Sequence, residues 1–390
     1  MFGSPRIAYA PPALSLHRAC SLRFAKSVLQ GSFSSVRTAT GSVNHGGVKP
    51  LSYVCVGSAG YQTAITKEEC MVLFEALKAF LFGVVEGITE WLPISSTGHM
   101  MLLDEFVKLE VSEAFYSTFL VVIQLGAILA VILLFFHKLN PFSPRKNAEQ
   151  KRTTWNIWAK VVVGSIPAAI VGLLLDDWIE EHIMTNEDIA AIVVSVALIV
   201  YGVIFIVIEL RNRRLIAEAN QPRGKHARTD GENPAPARMV SVDPNAEAEY
   251  DASSVIAKVN TFDELSYGKA FIIGIFQSLA IIPGTSRSGS IIIGSMLVGT
   301  SRTIATEFAF FLAIPIMLGW SVLKFIKHGF AYTGMEWMIF GIGLVTAFVV
   351  SVIAIKFLVG YVKKHDFTVF GVYRIILGLV VLGYFLLIAV

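Results

Sequence analysis

Charge is scarce in this chain of 390 residues: 16% are Asp, Glu, Lys or Arg, against about 25% in an ordinary soluble domain. With 54% apolar residues and a mean hydropathy of +0.64, the composition excludes a water-soluble globular protein. Cysteine is almost absent. Its three copies, Cys20, Cys55 and Cys70, lie in the first 70 residues, so no disulfide framework or thiolate metal site involves the apolar bulk. Nor is there a one-sided basic excess: 32 Lys plus Arg face 29 Asp plus Glu, dispersed between apolar runs, which speaks against nucleic-acid binding. The first 67 residues lack any acid but carry Arg6, Arg18, Arg23, Lys26, Arg37, Lys49 and Lys67 among many Ser, Ala and Gly. Residues 1–70 are therefore expected to be a leader outside the fold, either sequence upstream of a start at Met71 or a basic, Ser-rich targeting segment.

What is abundant is the long apolar run. A membrane span needs about 20 mostly apolar residues, and Phe115–Phe136, Ile157–Leu175, Ile189–Ile208, Phe308–Leu323, Trp337–Ile355 and Ile375–Val390 qualify or nearly do. Within the second of these, Lys160 sits near the end and is expected to snorkel. Two more apolar stretches are broken: Ala79–Leu92 contains Glu86 and Glu90, and Ala270–Ile282 stops at Pro283-Gly284. Each leads into a Ser/Thr/Gly cluster and a further short apolar piece, which predicts a helix, a tight turn and a returning helix. From Arg211 to Phe262 the apolar pattern collapses among prolines and mixed charges, as in a flexible extramembrane loop. Basic residues at Lys138 to Arg152, Arg211 to Arg214 and Lys363-Lys364 place those loops in the cytoplasm, and the acid-rich loop from Asp176 to Asp188 outside. Lys324 and Lys327 run against this pattern.

The chain also repeats. Gly83-Val84-Val85-Glu86 corresponds to Gly274-Ile275-Phe276-Gln277, Pro93 to Pro283 and Gly98 to Gly289, with one extra residue in the second turn. Each copy is a broken segment followed by three spans, and three crossings reverse direction, so the second copy lies upside down. The expected fold is an all-α polytopic membrane protein: an inverted-topology repeat of six transmembrane helices plus two re-entrant helix hairpins whose tips meet. The first repeat covers 71–210, a cytoplasmic loop 211–266 and the second repeat 267–390.

The tips carry the chemistry. Glu86 and Glu90, four apart, share a helical face; in apolar surroundings one holds a proton, a cation sits between them, or a structural Arg neutralises them. After Pro93, Ser95, Ser96 and Thr97 open a new helix, where free backbone N–H groups suit a phosphate or where a serine merely caps. His99, close to Ser96 and the acids, is a candidate acid or base. The second tip, Thr285-Ser286-Arg287-Ser288-Gly289, adds a guanidinium whose anion at membrane depth is Glu86 or Glu90, or a phosphate held by its planar fork.

Glu86-Gly-Ile-Thr-Glu90 with Pro93-Ile-Ser-Ser-Thr-Gly-His99, and Pro283-Gly-Thr-Ser-Arg-Ser-Gly289, resemble the bacitracin-resistance type of undecaprenyl-diphosphatase over about Met71 to Val390. The resemblance implies a membrane phosphatase converting undecaprenyl diphosphate to undecaprenyl phosphate and inorganic phosphate. That activity recycles the lipid carrier of peptidoglycan synthesis and confers bacitracin resistance. It also implies dependence on a divalent cation, magnesium or calcium, and a site open to the outer side of the cytoplasmic membrane; the expected mechanism places that cation near Glu86 and Glu90. One departure stands out: the family's second motif usually places a threonine two residues after its second glycine, where this chain has Ile291 after Ser290.

The expected mechanism surrounds one diphosphate with both tips. Arg287 and Ser286 hold the terminal phosphate, with Ser95, Thr97, Thr285 and Ser288 as further phosphate-binding candidates. Ser96 is the candidate nucleophile, with His99 or Glu90 taking its proton; alternatively these residues activate water and Ser96 only binds. The partners expected are the polyprenyl diphosphate and membrane lipid, with no nucleic acid, and homodimerisation left open. A lipid-phosphate carrier is the rival reading, since broken helices meeting at mid-membrane also describe transporters.

Overall fold

The computed structural model describes residues 53–54, 64–65, 67–220 and 251–387. The leader expected at 1–70 lies almost wholly outside them, as do residues 221–250. Contacts divide the chain into two units, residues 1–74 and 75–390. In the first, Tyr53–Val54 (β1) pairs antiparallel with Ala64–Ile65 (β2), and the first turns of α1 follow. Helix α1 spans Lys67–Thr89. The second unit is helical: α2 Ser96–Phe106, α3 Glu113–Leu134, α4 Ala148–Ile179, α5 Glu187–Ala219, α6 Tyr267–Ser278, α7 Arg287–Leu297, α8 Arg302–His328, α9 Gly334–Lys364 and α10 Thr368–Leu387.

Among the described residues six helices are long and apolar enough to cross a membrane: α3, α4 with its π-helical extension to Met184, α5, α8, α9 and α10. Side chains such as Leu133, Leu174, Val207, Ile326 and Ile353 stand more than half exposed on their flanks, which suits a lipid solvent and would be an aggregation surface in water. The protein is a multi-pass membrane protein. Polar starts mark the helices. Asn147 and Thr333 each close a capping box, with Gln150 and Glu336 respectively, and Ser112, Asn186, Ser266 and Ser301 accept the backbone N–H three residues on.

Small residues let the helices touch through their backbones, as lipid-embedded packing favours. The two repeats are crossed. A Cβ on Gly83 of α1 would stand 2.7 Å from the Gly343 carbonyl of α9, and one on Gly274 of α6 only 2.2 Å from the Gly164 carbonyl of α4. Each broken unit thus packs against the middle span of the other copy. The last spans, α5 and α10, meet at Gly202 and Gly371 in the same way.

Several expectations change. The first broken segment is longer than Ala79–Leu92, since α1 has 23 residues, about 35 Å, whereas α6 has 12. The loop expected from Arg211 is helical to Ala219, and from Asp251 the chain is packed again, with Val259, Phe262 and Leu265 in the core. Asp251 receives the backbone N–H and hydroxyl of Thr303 at 3.1 and 3.0 Å, and Ser253 accepts from the Arg302 N–H. Arg302 in turn grips the fully buried Glu209 through two hydrogen bonds of 2.9 and 2.6 Å. Lys160 does not snorkel. It is 2% exposed, and its Nζ donates to the Phe262 carbonyl at 2.7 Å. Lys324 and Lys327, the exceptions to the charge pattern, pair with Glu180 and Asp177.

Candidate active site

Both breaks are built alike. Ser95 and Ser286 immediately precede α2 and α7, and among the described residues they alone combine a side chain with a positive φ, 71° and 66°. Such backbone costs about 1–3 kcal/mol and persists where surrounding contacts impose it, typically at functional sites. Counting back three residues from Gly98 and Gly289, the two serines occupy equivalent places in the repeat.

The tips meet. Arg287 forms an ion pair with Glu90, and Ser288 Oγ donates to the Glu90 carbonyl at 3.2 Å. On the first tip, Ser96 Oγ donates to Glu90 Oε2 at 2.9 Å. One carboxylate, 8% exposed, is therefore shared by an alcohol and a guanidinium from opposite halves of the chain. Arg287 uses Nη2 for this bond and its Nη1 is buried without a partner.

Behind the tips stands Arg374, which falls just outside the last span expected from the sequence, Ile375–Val390. It lies inside α10 and is 0% exposed. Nη1 donates to the Pro93 carbonyl at 3.2 Å, and Nη2 to those of Gly284 and Thr285 at 2.9 and 2.8 Å. A single guanidinium thus clamps both turns. The signal available in the sequence was an arginine six residues into an apolar helix, where a charge demands partners.

Two cavities adjoin the tips and share Ser96, Thr97 and Gln124. The first, of about 290 Å³, is lined by Glu86, Asp104, Lys108, Tyr116 and Glu187 among others. The second, of about 200 Å³, is lined by Glu90, Gln277, Ser286, Arg287 and Trp320 among others. Glu86 is 2% exposed, and its Oε1 has no partner.

Of the expected site residues, the structure brings Glu86, Glu90, Ser96, Thr97, Ser286 and Arg287 to these cavities. The others line neither cavity. Thr285 donates to the Leu279 and Ile282 carbonyls within its own turn, Ser288 joins the tips, and Ser95 Oγ is buried without a partner, lining neither cavity. His99 differs most from expectation. Its Nδ1–H donates to the Ser95 carbonyl at 2.7 Å, which leaves Nε2 to accept from the Tyr373 hydroxyl, also at 2.7 Å. Both ring nitrogens are occupied, neither by Ser96. Ser290, the neighbour of the missing threonine hydroxyl, donates to Tyr201 at 3.2 Å and lines neither cavity.

Known proteins resemble this chain over most of its length. The family model described as bacitracin resistance protein BacA matches residues 79–380. Undecaprenyl-diphosphatase 1 of Clostridioides difficile (strain 630) is 49% identical over 319 residues, 82% of this chain and 99% of that protein. The undecaprenyl-diphosphatase of Desulfitobacterium hafniense is 50% identical over 316 residues, covering 81% and 98% of the two chains, and that of Enterococcus faecalis 47% over 319 residues, covering 81% and 99%.

Proposed function

Because the chain belongs to the family of bacitracin resistance protein BacA, we propose that it hydrolyses undecaprenyl diphosphate to undecaprenyl phosphate and inorganic phosphate within the membrane. The observation that carries this reading is the single carboxylate of Glu90, held by Ser96 of one tip and Arg287 of the other.

Ser96 Oγ is positioned to attack the terminal phosphorus while its proton passes to Glu90, the base its hydrogen bond already reaches. The bond from phosphorus to the bridging oxygen breaks, its electron pair leaving on the lipid phosphate, which takes the proton from Glu90. Water then attacks the phosphoserine and gives one proton to Glu90. Oγ leaves phosphorus and recovers that proton, and phosphate departs. Arg287 holds the phosphoryl oxygens through Nη1, so positioning and charge supply most of the barrier reduction. In the direct variant Glu90 draws the proton from water and Ser96 only binds.

Glu86, with its unpartnered buried oxygen, and Glu90 form an all-oxygen donor pair suited to magnesium or calcium. Such an ion, when bound, would offset charge gathering on the departing phosphate. The two broken units serve as re-entrant hairpins that bring the site to a cavity open on the outer side of the cytoplasmic membrane. There the product lipid returns to peptidoglycan synthesis and bacitracin tolerance rises.

Release of phosphate from undecaprenyl diphosphate by the purified chain in detergent, dependent on added magnesium or calcium and abolished by EDTA, tests the reading. No release despite added cation refutes it in favour of a carrier of lipid phosphates.

A further inference from the structure

Gln277 is buried in a way that packing does not account for. It sits in the last turns of α6, 2% exposed, and neither its Nε2 nor its Oε1 has a hydrogen-bond partner. A primary amide has four hydrogen-bonding positions, and leaving them unmet in an apolar interior is destabilising, whereas a methionine of similar shape would carry no such cost. The side chain lines the second cavity beside Ser286, Arg287 and Glu90. Arg287, whose Nη1 is likewise buried without a partner, lines the same space.

The repeat sharpens the point. Gln277 follows Gly274 by three residues, as Glu86 follows Gly83, and each glycine packs against the middle span of the opposite copy. Glu86 is equally buried and also has an unpartnered oxygen, but it lines the first cavity. The two equivalent positions thus present a carboxylate to one cavity and a neutral amide to the other. An acid suits a cation and opposes a phosphate. An amide beside a guanidinium suits an anion, because its N–H groups donate without a carboxylate's repulsion.

Resting on the phosphatase reading, we propose that Gln277 contacts the substrate directly. Nε2 donates to an oxygen of the terminal phosphoryl group that Arg287 Nη1 also holds, and Oε1 accepts from a phosphate hydroxyl or a bound water. The second cavity is then the seat of the terminal phosphoryl group and of the phosphate it becomes.

The test uses the purified full chain in detergent with Gln277→Met and Gln277→Glu. Turnover is measured on undecaprenyl diphosphate, and binding of methylenediphosphonate, a non-hydrolysable diphosphate, by protection against thermal unfolding. Gln277→Met should melt at or above the wild-type temperature, lose about 10- to 100-fold in kcat/KM, the effect of one or two charge-assisted contacts, and lose protection by the diphosphonate. Gln277→Glu should fall further, its carboxylate opposing the phosphoryl group. Wild-type kcat/KM and wild-type protection in both variants overturn the proposal. A variant that does not fold moves the decision to the other, since either must lose the protection. Wild-type protein that binds the diphosphonate through Gln277 but releases no phosphate leaves the anion seat standing and removes the phosphatase reading.

Discussion

Replacing Arg374 by methionine keeps the length of the side chain and removes the clamp between the tips. Three charge-assisted hydrogen bonds disappear, to Pro93, Gly284 and Thr285. At about 1.5–3 kcal/mol for each bond to a charged group, and with the cost of burying the guanidinium itself recovered, the net loss is on the order of 5 kcal/mol. At roughly 2 °C per kcal/mol for a chain of this size, the melting temperature in detergent falls by about 10 °C. The effect on turnover is larger in proportion. The Glu90 to Arg287 pairing depends on both turns keeping their places, and a displacement of about 1 Å costs roughly 100-fold in rate. Arg374→Met is therefore expected to retain less than about 1% of wild-type kcat below its melting temperature. Arg374→Lys keeps the charge but cannot span three carbonyls as the guanidinium fork does, so it should fall between the two. Thermal unfolding and phosphate release on the same preparations measure both. A methionine variant that melts and turns over like the wild type refutes the clamp.

Further outcomes follow from the same geometry. Ser96→Ala abolishes turnover and any acid-stable phosphoenzyme if the alcohol is the nucleophile; near-normal kcat in this variant eliminates the covalent route. Glu90→Gln removes the proton acceptor and leaves Arg287 unpaired, so activity drops at least about 100-fold and stability by about 3–5 kcal/mol, as when one partner of a buried pair is removed. His99→Gln, whose amide can span the Ser95 carbonyl and the Tyr373 hydroxyl, should keep activity within about tenfold. A loss like that of Glu90→Gln would restore the imidazole as the base. Gly274→Ala drives a methyl towards the Gly164 carbonyl at 2.2 Å, an overpacking cost of about 1–3 kcal/mol, while Gly268→Ala, with nothing within 4 Å, should leave the melting temperature close to that of the wild type.

Much of this protein is legible along the chain because apolar length and helix breaks are local properties. Six runs of the right length became six spans, and Pro93 and Pro283 marked the two breaks where the tips lie. Glu90, Ser96 and Arg287 could be singled out because a charge or an alcohol cluster amid apolar residues needs a reason to be there. What such reasoning cannot supply is the partner. The ion pair of Glu90 joins residues 197 apart, and the Arg374 contacts reach 281 residues back to Pro93. His99 stood three residues from Ser96 in the chain, yet its ring is taken by Tyr373, 274 residues away. Lys160, near the end of its apolar run, could have reached water, but a packed segment after Asp251 covered it and offered the Phe262 carbonyl instead. Hydropathy and spacing therefore determined the spans, the repeat and the kind of chemistry. Only the crossing of one repeat's broken helix onto the other's middle span decided which buried donor meets which acceptor, because hydrogen bonds are short-ranged and their partners come together only when distant helices pack.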